Sequence, residues 1–163
     1  MDEAGFHEYI AARMETLRRA AYLMCGDWHT ADDVVATAVV KLYRDWGRLS
    51  RLGNLDAYVR RMVLTAWLDE QRRPWRRERS MPAPPSRAVA AGDGPVADRL
   101  TILGHLAALP ARRRAVIVLR YYCDLSVEET AEVMGCSAGT VKSQTARALD
   151  TLRASMVDVS DLA

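Results

Sequence analysis

Residues 124–153 read DLSVEETAEVMGCSAGTVKSQTARALDTLR and carry the clearest structural signals in the chain. Near its start, Ser126 can cap a helix, and Glu129 stands three positions later, which is the pattern of a capping box. This pattern predicts a first helix over about residues 127–134. Gly135 then supplies the left-handed residue that commonly ends a helix. A second helical pattern begins only a few residues later.

The second helical pattern has two distinct faces. Ser137 caps it, and it continues past Leu152. At about 100° per residue, its apolar side chains fall on one side: Val141, Ala148, Leu149, Leu152 and Met156. The other side and its flanks carry small, amide and cationic side chains: Lys142, Ser143, Gln144, Ala146 and Arg147. Such a face suits the major groove of DNA, so the pattern favours a DNA-binding helix-turn-helix over a hairpin with a merely solvated face.

The composition predicts an all-α protein. Half of the 163 residues are hydrophobic, β-branched runs are rare, and long stretches lack both Gly and Pro. The net charge of +2 is too small to indicate nucleic-acid binding by itself. The charges are grouped, however: arginines cluster at residues 72–79 and 112–114, and acids gather at residues 27–33 and 128–132.

Several classes of protein are excluded by what the sequence lacks. The cysteines are Cys25, Cys123 and Cys136, without zinc-ligand spacing, so we expect reduced thiols and no metal. The start does not read as a signal peptide, and no apolar run approaches the roughly 20 residues that span a bilayer. We therefore expect a soluble, cytoplasmic protein. No phosphate-binding loop or nucleophile constellation predicts an enzyme, and no cofactor is expected.

Three helices are predicted in the first half of the chain. The first covers about residues 3–24 and carries an amphipathic stripe. Thr30 is expected to cap the second helix, with Asp33 in a box-like arrangement. The third covers about residues 55–73 and is stopped by Pro74.

The faces of the second and third helices suggest binding surfaces. The second helix has a buried face of Val34, Val35, Ala38, Val39, Leu42 and Trp46, and the side chains lying away from it are Asp33, Thr37, Val40, Lys41 and Arg44. Four apolar side chains of the third helix form a stripe that is enough to pack it against the first two helices: Leu55, Val59, Met62 and Ala66. Leu64, Trp67 and Leu68 then point outward among arginines, an apolar patch that could stack on unpaired bases. The alternative, that another helix covers Trp67, stays open.

A change in composition marks the boundary between two predicted domains. Residues 74–95 read PWRRERSMPAPPSRAVAAGDGP, which has no apolar period and is typical of a flexible linker. We expect it to join a domain of residues 1–73 to one of residues 96–157. The second domain would begin with helices over about residues 96–108 and 110–123 and close with the helix-turn-helix.

The segment LSVEETAEVMGCSAGTVKSQTARALDTLR resembles region 4.2 of bacterial sigma factors of the extracytoplasmic-function (ECF) group. The run GTVKS followed by RAL is its most specific part. The likeness to region 4 begins at LAALPARRRAVIVLRYY, and LRRAAYLMCGD, ADDVVATAVVKLYRDW and LDAYVRRMVLTAWLDEQRR are similar to region 2. RRPWRRER resembles the actinobacterial SigE-like subfamily. The likeness covers nearly the whole chain, with a linker instead of region 3.

The resemblance implies a sigma factor that binds the RNA polymerase core at the β′ coiled coil and β flap, and opens promoter DNA. It implies that five residues dock on β′: Asp33, Thr37, Val40, Lys41 and Arg44. It assigns the −10 element to Arg60, Arg61, Thr65, Trp67 and Arg72, with residues 50–54 framing a captured base. It assigns the −35 element to Lys142, Ser143, Gln144, Ala146 and Arg147. A controlling anti-sigma factor and a monomeric free state are also implied.

The chain departs from the family pattern at several of these positions. Ala36 and Thr37 stand where many members have Gln and Glu, Thr65 where Asn is common, and Gln144 where Arg is frequent. Promoter sequences therefore cannot be transferred from other members. The main alternative is a stand-alone helix-turn-helix regulator with an N-terminal dimerisation or sensing domain. A further one is an interaction module that barely uses DNA.

Overall fold

The computed structural model describes residues 2–74 and 95–160, with side chains for residues 2–74 and 101–157. Across these residues the chain is helical and contains no strand. This agrees with the predicted all-α class. Apart from its terminal prolines, the predicted linker lies outside the described residues.

The first half forms three long helices and one short one: α1 (Glu3–Cys25), α2 (Trp28–Arg44), α3 (Trp46–Leu49) and α4 (Leu55–Arg72). Gly26 ends α1 at a φ of 84°, which only glycine adopts without strain. The predicted cap at Thr30 is wrong. Asp27 caps α2 instead, because its carboxylate accepts the Thr30 backbone N–H at 2.7 Å, so Thr30 lies inside the helix and is buried.

The second half begins with α5 (Pro95–Ala107) and α6 (Ala111–Ile117), which continues as one π-helical turn (Val118–Tyr122). The helix-turn-helix follows as α7 (Val127–Met134) and α8 (Ala138–Ser160).

The local signals of the helix-turn-helix are confirmed. Ser126 Oγ accepts the Glu129 N–H at 3.0 Å, and the Glu129 carboxylate accepts the Ser126 N–H at 2.7 Å. Gly135 has a φ of 63°, and Ser137 Oγ accepts the Thr140 N–H at 3.1 Å.

The two halves share one buried boundary. Apolar side chains of α1, α2 and α4 belong to the same core cluster as those of α6, the π-helical turn, α7 and α8. Leu106, Leu109, Ile117 and Ala148 form a smaller cluster inside the second half. Each half therefore forms its own group of helices, and the two groups pack directly against each other.

The outward patch predicted on the third helix is wrong for two of its three residues. Leu64 is 3% exposed and Trp67 is 1% exposed, whereas Leu68 is half-buried. The guanidinium of Arg114, on α6, lies 5.5 Å from the centre of the Trp67 ring. The second half thus covers this surface, which is the alternative that the sequence left open.

Candidate nucleic-acid interface

Helix α8 presents a polar face to solvent and packs its opposite side against the domain core, although Met156, near its end, is 56% exposed. Val141 and Ala148 are both 0% exposed and fix the helix on the domain core. The side chains on the opposite side are exposed, and we call them the recognition face: Lys142, Ser143, Ala146 and Arg147. No acidic residue occurs between residues 138 and 148. The face is therefore positively charged and free to approach an anionic partner.

Gln144 lies at the edge of the recognition face and is half-buried. Its side-chain carbonyl accepts a hydrogen bond from Nε of Arg113, on α6, at 3.2 Å. Sequence reasoning missed this pair because the two residues are distant in the chain. The sequence shows an arginine cluster at residues 112–114, but nothing in it indicates which member reaches α8.

The five candidates for the −10 element differ in accessibility. Arg61, Thr65 and Arg72 are exposed, Arg60 is half-buried, and Trp67 is buried. The structure thus spreads them along α4 rather than gathering them into one open surface.

Helix α7 approaches the start of α4. Asn54 Nδ2 donates to Glu132 Oε2 at 3.1 Å. The guanidinium of Arg61 lies against Gly135, where a Cβ would come within 3.0 Å of its Nη2. A cavity of about 210 Å³ remains between the loop before α4 and Glu132. This loop is the one expected to frame a captured base, and Glu132 of α7 lines one side of the cavity beside it.

Arg114 links the two halves by backbone contacts. Its guanidinium donates to the carbonyl oxygens of Met24 at 2.7 Å, Leu109 at 3.0 Å and Ala107 at 3.1 Å. Burial lowers the pKa of Arg114 from its ordinary value, because a charged group loses its water there. A neutral set of acceptors therefore holds this cation at the boundary.

The outward side chains of α2 are all exposed, as predicted, and we call them the docking face: Asp33, Thr37, Val40, Lys41 and Arg44. Thr37 Oγ1 donates to the Asp33 carbonyl within the helix at 2.9 Å. An open groove of about 370 Å³ separates this face from the C-terminal end of α4. Val40 is 68% exposed, which is unusual for an aliphatic side chain and suits a protein contact.

A polar network fixes α1 against the start of α4. Tyr9 Oη donates to Asp56 Oδ1 at 2.8 Å, and Arg13 Nε donates to the same oxygen at 3.1 Å. Burial raises the pKa of Asp56, but hydrogen bonds from Arg13 and Tyr9 lower it by more, so its pKa lies below the ordinary value. The carboxylate is therefore held charged between the two helices.

Two searches of the described residues give negative findings. No cluster of three or more potential metal ligands occurs among residues 2–74 and 101–157. None of the described helices is both long and apolar enough to cross a membrane.

Comparisons with known proteins agree with this geometry. Family models for sigma-70 region 2 and sigma-70 region 4 match residues 10–77 and 99–152. An RNA polymerase sigma-E factor of Streptomyces avermitilis is 36% identical over 153 residues, which cover 91% of this chain and 83% of the relative. The ECF RNA polymerase sigma factor SigM of Mycobacterium tuberculosis is 29% identical over 154 residues, covering 90% of this chain and 74% of the relative.

A solved structure has the same fold. The sigma factor RpoE of Bartonella quintana, crystallised with the anti-sigma factor NepR, aligns with a TM-score of 0.74 and 22% identity over 91% of this chain and 94% of that chain. With two matching family models and a 36% identical relative along nearly its whole length, the chain belongs to the ECF group of sigma-70 family RNA polymerase sigma factors.

Proposed function

We propose that the recognition face of α8 reads the −35 element of promoters for RNA polymerase, with Gln144 at its edge. A short polar and cationic face on a rigidly packed helix suits base edges and phosphates in the major groove. The observation that carries this proposal is the contrast within α8 between the fully buried Val141 and Ala148 and the exposed, acid-free face. Each good base contact adds roughly 1–3 kcal/mol of discrimination.

The −10 element falls to α4 and the loop before it, through Arg60, Arg61, Thr65, Trp67 and Arg72. DNA can reach the exposed side chains of Arg61, Thr65 and Arg72 in the present arrangement. It can reach Trp67 only after the second half has moved away. The N-terminal domain, residues 1–73, therefore takes the −10 element after the two halves separate. The polymerase fixes the final spacing of the two halves.

The docking face of α2 binds the β′ coiled coil of the core polymerase, and the domain of residues 96–157 reaches the β flap. Exposure of all five docking residues and the neighbouring groove support this assignment. Thr37 has already used its hydroxyl donor within the helix, so Lys41 and Arg44 supply the stronger polar contacts.

An anti-sigma factor controls the chain by covering these surfaces. The related fold of a sigma factor in complex with an anti-sigma factor supports this expectation. The chain acts in the cytoplasm, where its polymerase is, and is monomeric when free. It acts as an initiation factor with no catalytic activity of its own.

The decisive experiment is run-off transcription with purified core polymerase, followed by start-site mapping that yields the promoter. Arg147→Ala is expected to lower transcription from that promoter by about five- to 150-fold, the equivalent of 1–3 kcal/mol, and to relax its −35 preference. The matched control is Arg153→Ala, further along the same helix, where Arg153 pairs with Asp150 at 3.4 Å. A dimer that binds a palindrome without polymerase would instead identify a stand-alone regulator.

A further inference from the structure

Arg113 is a cation placed beside the recognition helix without an acidic partner. Its Nε donates to Gln144 Oε1 at 3.2 Å, and both side chains are half-buried. Within the described part of the chain, no acidic side chain forms an ion pair with it, whereas Arg13, Arg18 and Arg19 each have one. The positive charge at this edge of α8 is therefore oriented but not neutralised.

The chemistry of the contact leaves most of the guanidinium available. The bond to Gln144 uses one of the five N–H donors of the guanidinium. Gln144 directly follows Ser143 of the recognition face, and Arg147 lies one helical turn further along the same helix. A phosphate strand that passes this edge would meet two cations supplied by two different helices.

We propose that Arg113 binds a backbone phosphate of the promoter next to the −35 element and that Gln144 is its positioning residue. This inference rests on the proposed role of α8 at the −35 element. It also gives Gln144 a purpose that differs from direct recognition of adenine, because its carbonyl is already engaged by the guanidinium.

The test measures promoter binding by reconstituted holoenzyme against potassium chloride concentration. Arg113→Met should weaken binding to all promoter sequences alike and reduce the slope of log affinity against log salt by about 0.9, the value for one phosphate contact. Gln144→Arg in the Arg113→Met background should restore the slope, because it returns a cation to the same edge. Arg19→Met, which removes a positive charge on α1, is the matched control and should leave the slope unchanged.

The outcomes separate this inference from the proposed function. An unchanged slope for Arg113→Met would overturn the inference, provided that Arg147→Ala still loses −35 discrimination. If Arg147→Ala also has no effect, the role of α8 itself fails. Should Arg113→Met fold poorly in a thermal melt, Arg113→Gln serves instead, since it keeps a hydrogen-bond donor but removes the charge. A change in base preference rather than in salt slope would also count against a phosphate contact.

Discussion

Replacing Arg114 by Met should lower the free energy of unfolding by about 2–4 kcal/mol. Arg114 makes three carbonyl contacts, of which those to Met24 and Leu109 are partly buried. A hydrogen bond to a charged group contributes about 1.5–3 kcal/mol, so losing both costs about 3–6 kcal/mol. Relief of the burial that lowers the Arg114 pKa offsets part of this loss.

The assay is equilibrium unfolding in urea, followed by far-UV circular dichroism. Met keeps much of the apolar volume of Arg, so the loss reports the polar contacts rather than a cavity. Arg112→Met is the matched control: its side chain is exposed, and its effect should stay within about 0.5 kcal/mol. A double-mutant cycle with Trp67→Leu should give a coupling energy of about 1 kcal/mol from the cation–π contact.

The reasoning is refuted if Arg114→Met unfolds within about 0.5 kcal/mol of the parent chain. Such a result would mean that the guanidinium exchanges its carbonyl acceptors for water in solution, and that the two halves do not pack as described. A normal loss without coupling to Trp67 would be a milder contradiction. It would support the hydrogen bonds of Arg114 to the carbonyl groups but show that the contact with the Trp67 ring contributes no stability.

Three further predictions concern the helices themselves. The folded-state pKa of Asp56 lies below its ordinary value, so the stability it contributes is complete above about pH 4 and is lost as the pH falls through the folded-state pKa; urea titrations at pH 6 and pH 3 should show a steeper loss for the parent than for Asp56→Asn, and parallel losses would contradict this. Ser126→Ala removes the cap of α7 and should cost about 1 kcal/mol, measured by thermal melting, with exposed Ser50→Ala as the control; equal melting temperatures would argue against the capping box. Leu42→Ala, at a side chain that is 0% exposed, should cost about 2–5 kcal/mol in urea, and a loss below about 1 kcal/mol would mean that this core is loosely packed.

The helix-turn-helix was predictable because its signals are local. The capping box of Ser126 and Glu129 and the left-handed Gly135 each depend on residues that are at most three positions apart. Periodicity also separated the two faces of α8 from Val141 to Leu152, since a helix with one packed side repeats every 3.6 residues, whereas Met156, predicted on the apolar side, is 56% exposed. The exposure of the docking face on α2 followed from the same rule.

The boundary between the two halves was not predictable, because its contacts join residues far apart in the chain. The sequence predicts an outward Trp67 because four other apolar residues are already enough to pack α4 on its bundle: Leu55, Val59, Met62 and Ala66. The structure shows that α4 has two apolar sides, one for its own bundle and one for the second half. The start of α2 was missed for a different reason: Asp and Thr both cap helices well, and the helix begins after Asp27 because its carboxylate reaches the Thr30 N–H.

The accessible and covered surfaces imply an order of events for the proposed function. The docking face and the recognition face are exposed, so polymerase and −35 DNA can meet them without any change in the chain. Trp67 is covered by the second half, so its use in −10 capture requires the contacts of Arg114 to break, whereas the loop before α4 is exposed. A partner that binds only the separated arrangement must offset that cost through its own contacts. Polymerase contacts both halves under this proposal, so it both opens the chain and fixes the spacing at which two weak DNA-binding surfaces act together. Promoter selectivity would then belong to the complex rather than to the free chain.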